Sequence, residues 1–339
     1  MRRILFVIFI ALLVAAAWFG YAFFLRAPHA GSALVIEVTD GASVKTVASE
    51  LAEKKIIPFA WEYRLYGALS GTARNLKPGS YNLRPDANDH EIALILASGK
   101  AHQESELRLI EGWTIADEMQ YLQLEKHVRP EEIAAIAGGA KNAGHFDPSL
   151  RQEFPFLKNL PESRSLEGYL FPETYRVWDD RLPQDLIRKQ LQEFQSRTAG
   201  LALSQKNAPL QTFDDVVILA SIIEKEVRED ADRRIVAGIF LRRLKAGMAL
   251  QSDATLNYIT GTGSTQANAD DLSLDSPYNS YKHKGLPPGP ICNPGIASIE
   301  AVLNPTASKY LYFLTEKDGT VLYAKTLEEH AQNRARAGY

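Results

Sequence analysis

The polarity of this chain changes abruptly near residue 26. Residues 4–25 read ILFVIFIALLVAAAWFGYAFFL without one charge. In a helix, about twenty apolar residues at 1.5 Å each cross a hydrocarbon core of roughly 30 Å. Arg2 and Arg3 precede the run and Arg26 follows it. A cleaved signal peptide is the alternative, but its apolar part is usually about 7–15 residues. Trp18, Tyr21, Phe23 and Phe24 also leave no small-x-small cleavage site at the far end. The expectation is therefore a single transmembrane anchor within 1–26, with Arg2 and Arg3 held in the cytoplasm by the positive-inside tendency. In a bacterium the folded mass would then sit on the periplasmic face of the inner membrane. No residue of the anchor is expected to contribute to a folded core.

After the APHAG linker the pattern becomes that of small folded elements. Residues 34–38, LVIEV, form a strand-like run closed by Asp40-Gly41. Ser43 opens a helical spacing through Val44, Val47, Ala48 and Leu51, and a second helix is expected over 58–69. Pro78-Gly79 turns the chain into a strand over 80–83, and a helix over 89–96 ends before Gly99. Strand, two helices, strand resembles a LysM-like module, the fold that holds N-acetylglucosamine polymers. A packing or spacing module would carry the same pattern. Its expected bounds are 27–103, with a larger unit over 104–339.

The larger unit mixes both periodicities. Leu107 to Ile110 is strand-like, and Thr114 with Asp117 forms a capping pair for a helix. Helices are expected over 130–137, 183–198 and 229–245, the last stopped by Gly247. Thr212 and Asp215 cap the segment DDVVILASIIEKEV. Asp318-Gly319 sits between two strand-like runs and predicts a hairpin, and Thr326 with Glu329 caps a final helix. The fold class is thus α+β: one amino-terminal transmembrane helix, a small βααβ module, and a mixed α+β catalytic domain.

Composition narrows the chemistry. Of 339 residues, 38 are Lys or Arg and 41 are Asp or Glu, so no basic excess points to nucleic acid. The single cysteine, Cys292, excludes an internal disulfide and a Cys-rich zinc site. No HExxH, GxxxxGK[ST], GxGxxG or GxSxG motif is present, and no cofactor or metal is expected.

The candidates that remain are carboxylates and hydrogen-bonding clusters. Residues 216–223 carry no charge, and then Glu224, Lys225 and Glu226 arrive together. At 3.6 residues per turn, Glu224 continues a face made by Val217, Ala220 and Ser221, and Glu226 lies about 200° away. A carboxyl at an apolar margin suits general acid catalysis, whereas an exposed ion pair is the plainer alternative. In SLEGYLFPETYRV, Tyr169, Phe171 and Tyr175 could form a platform for sugar rings or simply pack an irregular loop. Gln251, Asp253, Thr255 and Asn257 cluster within two turns. Asn279 and Tyr281 lead into the rigid GLPPGP loop.

Taken together, EGW (111–113), SLEGYLFPETY, LASIIEKE, LQSDAT, SPYNSY, GLPPGPICNPG and the closing YLYF, DG and EH residues resemble the endolytic murein transglycosylases, membrane-anchored enzymes once described as aminodeoxychorismate-lyase-like. The resemblance implies Glu224 as the catalytic residue, the first glutamate of the ASI-x-EKE segment. From the aromatic segment and polar clusters above, Tyr169, Tyr175, Gln251, Asp253, Thr255, Asn279 and Tyr281 are the candidates for substrate binding. The expected reaction cleaves the β-1,4 bond between N-acetylmuramic acid and N-acetylglucosamine in peptidoglycan strands. The muramoyl 6-hydroxyl attacks and leaves a 1,6-anhydro end, so one carboxyl can serve as acid and then base. Partners implied are the glycan strands and the peptidoglycan synthases of the elongation machinery. A muramidase-type hydrolase pairing Glu224 with Asp253 and a non-catalytic wall-binding scaffold stay open.

Overall fold

Side-chain caps set where the helices begin. In this computed structural model, residues 6, 9–10, 13–14, 17–25, 34–83, 87–99, 104–262, 268–316 and 318–338 are described. The chain divides into two units, 1–104 with 178–180, and 105–177 with 181–339.

In the first unit, β1 (Leu34–Val38) pairs antiparallel with β2 (Gly79–Leu83), from Leu34 opposite Leu83 to Val38 opposite Gly79. Between them lie α1 (Val44–Glu53), capped by Ser43, and α2 (Ala60–Ser70), stopped by left-handed Gly71. A further helix, α3 (Asp89–Ser98), begins in an Asn88/Glu91 capping box and ends at left-handed Gly99. Ile36, Val47, Leu51, Tyr63, Tyr81, Leu83, Ile92 and Leu96 fill the space between sheet and helices.

This core corrects one expectation. Ala22 and Phe23, from the end of the apolar run, are buried in it. The Phe23 ring stacks on Tyr66 at 5.1 Å, and Asn88 Nδ2 donates to the Phe24 carbonyl oxygen at 3.2 Å. The module leaves a gap that an aromatic fills, and burial of such a side chain is worth roughly 1.5–3 kcal/mol. Much of the expected anchor lies outside the described residues. Among the described residues, no helix is long and apolar enough to cross a membrane.

In the second unit, β3 (Glu104–Arg108) pairs with β4 (Thr174–Trp178). The strand expected over 107–110 therefore starts and ends earlier. Ile110 instead opens a turn, its carbonyl accepting from Trp113 N at 3.1 Å. The end of the SLEGYLFPETYRV segment is regular after all, because β3 offers it a partner edge. Helices α4 (Ile115–Lys126) and α5 (Pro130–Ala137) follow β3, and α6 (Gln184–Thr198) follows β4.

The centre of this unit is α7 (Phe213–Glu226), started by a Thr212/Asp215 capping box. Every residue over 216–223 is buried, so the middle of the helix has no exposed face. α8 (Asp230–Lys245), α9 (Asp253–Thr260) and α10 (Ile296–Leu303) pack around it. Ser221 is small and hydroxylic for a reason. Its Oγ donates to the Ile218 carbonyl at 2.7 Å and accepts from Ile291 N at 3.0 Å, which pins the 291–295 segment to the helix. The hairpin β5 (Tyr312–Thr315) and β6 (Val321–Ala324) pairs antiparallel, and α11 (Leu327–Arg336) lies against it.

Candidate active site

Glu224 stands in the last turn of α7, where the apolar run ends. It meets the start of α10. Oε2 accepts from Gly295 N at 3.0 Å and from Ser298 Oγ at 2.7 Å. Gly295 is the residue before α10, so the carboxylate caps that helix and sits at the positive end of its dipole. Oε1 accepts from Arg233 Nη2 at 3.3 Å, and the two side chains are only 6% and 11% exposed. Arg233 also holds Asp230 at 2.7 Å. The plain alternative of an exposed ion pair is thus half realised: there is an ion pair, but it is enclosed.

The EGW segment closes the other side. Gly112 N donates to the Asn293 carbonyl at 2.9 Å, and Asn293 N returns a bond to the Trp113 carbonyl at 2.8 Å. Lys225 Nζ donates to the Gly112 carbonyl at 3.1 Å. The Glu111 carboxyl lies against Gly295, where a Cβ would fall 2.1 Å from Glu111 Oε1. A side chain at 295 would displace the Glu111 carboxyl from this position. Burial, and then the charge of Glu224, raise the pKa of Glu111 above the ordinary carboxyl range. Sequence reasoning quoted EGW and CNPG as motifs but did not assign Glu111, Arg233, Gly295 or Ser298. Their separation in the chain hides them.

Beneath this site lies a fully buried polar knot. Asn293 Oδ1 accepts from Gly168 N at 2.7 Å and Leu170 N at 3.2 Å, and its Nδ2 donates to Glu118 Oε1 at 3.1 Å. Glu167 accepts from Ile115 N at 3.0 Å and from Tyr258 Oη at 3.2 Å. Burial pushes Glu118 and Glu167 each up to about 8, so both are largely neutral at pH 7. Asn293 thereby ties the EGW, LEGYL and CNPG segments into one support for the Glu224 pocket.

The expected binding residues separate into two groups. Tyr169 is buried with its Oη donating to Asp214 at 2.7 Å, and its ring packs on Phe194 at 5.0 Å. Phe171 and Tyr175 are buried too, with Tyr175 Oη donating to the Phe171 carbonyl at 2.7 Å. These rings are core, because the segment that carries them is enclosed on both sides, and they offer no face to a sugar. The other group does converge. Tyr281 Oη donates to Asp253 Oδ1 at 2.5 Å, Thr255 and Ser280 hydroxyls meet at 2.8 Å, and Gln251 N donates to the Ser280 carbonyl at 3.0 Å. Within it Thr255 and Asn279 are buried. Asn279 is spent on the turn, donating to the Leu274 carbonyl at 2.9 Å and accepting from Tyr281 N at 3.0 Å. Gln251 is exposed, in the left-handed region at φ 53°, and its side-chain oxygen accepts from Arg243.

This second group surrounds Glu226. Ser252 Oγ donates to Glu226 Oε1, and burial pushes the Glu226 carboxyl up to about 7, with Asp253 adding to the rise. Cys292 is buried, its Sγ donating to the Ser221 carbonyl at 3.2 Å, and burial raises its pKa well above the thiol range. Among the described residues, no three His, Cys, Asp or Glu side chains are grouped to hold a metal ion.

Comparison with known proteins defines the class of this chain. The chain belongs to the YceG-like family, whose pattern matches residues 36–336. It is 33% identical to the endolytic murein transglycosylase of Bacillus subtilis strain 168 over 90% of this chain and 84% of that protein. It is 30% identical to the endolytic murein transglycosylase of Streptococcus pneumoniae D39 over 97% of this chain and 64% of that protein. A crystal structure of a yceG-like protein from Listeria monocytogenes matches with a TM-score of 0.57 and 32% identity, over 89% of this chain and 99% of that one.

Proposed function

We propose that this chain is an endolytic murein transglycosylase with Glu224 as its catalytic carboxyl. The observation that carries the reading is the enclosed Glu224, gripped by Gly295 N, Ser298 Oγ and Arg233. The bond cut is the β-1,4 link from N-acetylmuramic acid to N-acetylglucosamine. Protonated Glu224 donates its proton to the glycosidic oxygen as the C1–O bond breaks. The resulting carboxylate is stabilised by the two donors and the Arg233 cation, worth more in a water-poor site than in bulk. It then takes the proton of the muramoyl 6-hydroxyl as that oxygen bonds to C1, giving the 1,6-anhydro ring and restoring the acid. Of the three contacts, the 3.3 Å one to Arg233 is the longest and is the one substrate displaces most easily. Glu111, beside Gly295 and with a raised pKa, supplies a second carboxyl that can share the proton.

Three further parts belong to this reading. The apolar run over 4–25 anchors the chain in the bacterial inner membrane, with the bulk periplasmic, while Ala22 and Phe23 at its end pack into the first unit. The first unit is LysM-like and holds or orients glycan; its β1, α1, α2, β2 order supports this. Glycan strands, and synthases that make them, are the partners.

Digestion of purified peptidoglycan tests the proposal. Muramoyl ends lighter by one water than a hydrolysed end are expected from the parent, and none from Glu224→Gln. Reducing muramoyl ends would replace the transglycosylase with a hydrolase. Full activity in Glu224→Gln would move the catalytic role to another residue, and no cleavage by the parent would leave only the scaffold.

A further inference from the structure

Helix α2 buries Glu62, Tyr63, Tyr66 and Gly67 and turns its other face outward. That face carries Trp61, Arg64, Leu65, Ala68 and Leu69, all exposed, at the i, i+3, i+4, i+7, i+8 spacing of a single stripe. Trp61 is 52% exposed and Leu69 67%, and Phe59, just before the helix, is 54%. A contiguous apolar stripe of this kind marks an interaction surface.

The neighbours of the stripe say what covers it. Trp18, near the end of the apolar amino-terminal run, stacks on Trp61 with centroids 5.6 Å apart and planes within 8°. Phe59 lies 6.5 Å from Trp61 on the same side. From behind, Phe23 and Phe24 reach the Tyr66 ring at 5.1 and 6.2 Å. The end of the apolar run is therefore tied to α2, and an anchored run would hold α2 at the depth where it leaves the bilayer. Trp and Tyr concentrate at that depth in membrane proteins, and Trp18 and Tyr21 are both exposed there.

We propose that the exposed face of α2 lies in the headgroup–acyl boundary of the outer leaflet of the bilayer, with Trp61, Leu65 and Leu69 inserted and Arg64 reaching the lipid phosphates. This rests on the reading of residues 4–25 as an anchor. The geometry is that of an interfacial helix: an apolar stripe inward, and one long cation that snorkels to phosphate oxygens. Its consequence is that the glycan-holding module is laid flat on the membrane rather than swinging on a linker.

Depth measurement on the full chain in vesicles of phosphatidylethanolamine and phosphatidylglycerol tests it. A nitroxide is attached singly at Leu13→Cys, Lys45→Cys or Leu69→Cys; Cys292 is fully buried and leaves the new thiol as the accessible one. At position 69, collisions with oxygen should exceed those with a polar nickel chelate, and at exposed Lys45 the ratio should invert. A nitroxide at 69 that favours the nickel chelate overturns the docking, as does one shielded from both reagents, which would mean a protein cover. Position 13 reads the anchor separately. Hydrocarbon depth at 13 with water at 69 keeps the anchor and removes the docked face. Water at 13 with boundary depth at 69 removes the anchor and keeps the docking.

Discussion

Two glutamates leave the same helix within one turn and meet opposite surroundings. Glu224 faces a backbone N–H, a hydroxyl and a guanidinium, all hydrogen-bond donors. Glu226 faces the Ser252 hydroxyl, the Ala254 backbone N–H and the neighbouring charge of Asp253, with no cation among the described residues, and burial pushes it to about 7. A rise in pKa by itself would have pointed to Glu226 as the acid. The assignment to Glu224 rests instead on what surrounds it: a helix N-terminus, the EGW loop and a cation, arranged to stabilise charge that appears during the reaction. A perturbed carboxyl is as often a buried structural group as a catalytic one.

The contrast can be broken most sharply at Glu224. Glu224→Gln should lower turnover by roughly 10²–10⁴, the usual worth of general acid–base catalysis, with the melting temperature nearly unchanged. Steady-state release of anhydro ends, beside a thermal melt, checks both halves. Retained turnover would transfer the catalytic role elsewhere, with Glu226 first in line.

Asn293→Ala comes next. It strands Gly168 N and Leu170 N in a buried site, each an unsatisfied group costing about 1–3 kcal/mol, and it removes one donor from Glu118, which keeps those of Gln190. Denaturant unfolding should show a loss of several kcal/mol, and activity should fall with it because the knot supports the pocket. Unchanged stability would mean that the three segments hold together without Asn293.

Glu111→Gln should lower the rate about tenfold, near 1.4 kcal/mol in barrier. The parent pH–rate profile should carry a limb above the ordinary carboxyl range, where Glu111 ionises beside Glu224, and the variant should lack it. Identical profiles would confine Glu111 to packing.

The smallest effect on rate is expected at Glu226→Gln, within about threefold, or under ~0.7 kcal/mol in barrier. Its signature is in stability. Below the ordinary carboxyl pKa this group is neutral in folded and unfolded chains alike. As pH rises toward 7 the unfolded chain loses the proton first, so the folded state loses stability, and the loss is complete above about 7. Glu118 and Glu167, at about 8, extend the same slope to higher pH. Melts of the parent should therefore fall from about pH 5 to 8, and those of Glu226→Gln should fall less between about pH 5 and 7. Parallel curves would show that Glu226 titrates as an ordinary exposed carboxyl.

Local signals in the chain were enough for most of the elements. Ser43, Thr114, Thr212 and Thr326 all cap helices through their side chains, and the Asp318-Gly319 hairpin forms. These are decided within three or four residues, where a hydroxyl or carboxyl either meets an unpaired N–H or does not. Strand ends were less legible, because β3 stops where its partner β4 does. The pattern also marked Glu224 as unusual, since a charge closing an eight-residue buried run is visible in one dimension.

What the sequence by itself determined, then, was most of the elements, the α+β class and the helix end that carries the candidate carboxyl. Tertiary structure alone decided which face of a ring or carboxyl is free. Tyr169 and Tyr175 read as a sugar platform until the core closed over them, and Phe23 read as anchor until Tyr66 met it. Glu111, Arg233, Gly295 and Ser298 became one site only when loops some 180 residues apart, Gly112 and Asn293 among them, exchanged backbone hydrogen bonds. Propensity and capping are short-range quantities, whereas burial and charge pairing depend on neighbours that only the folded chain supplies.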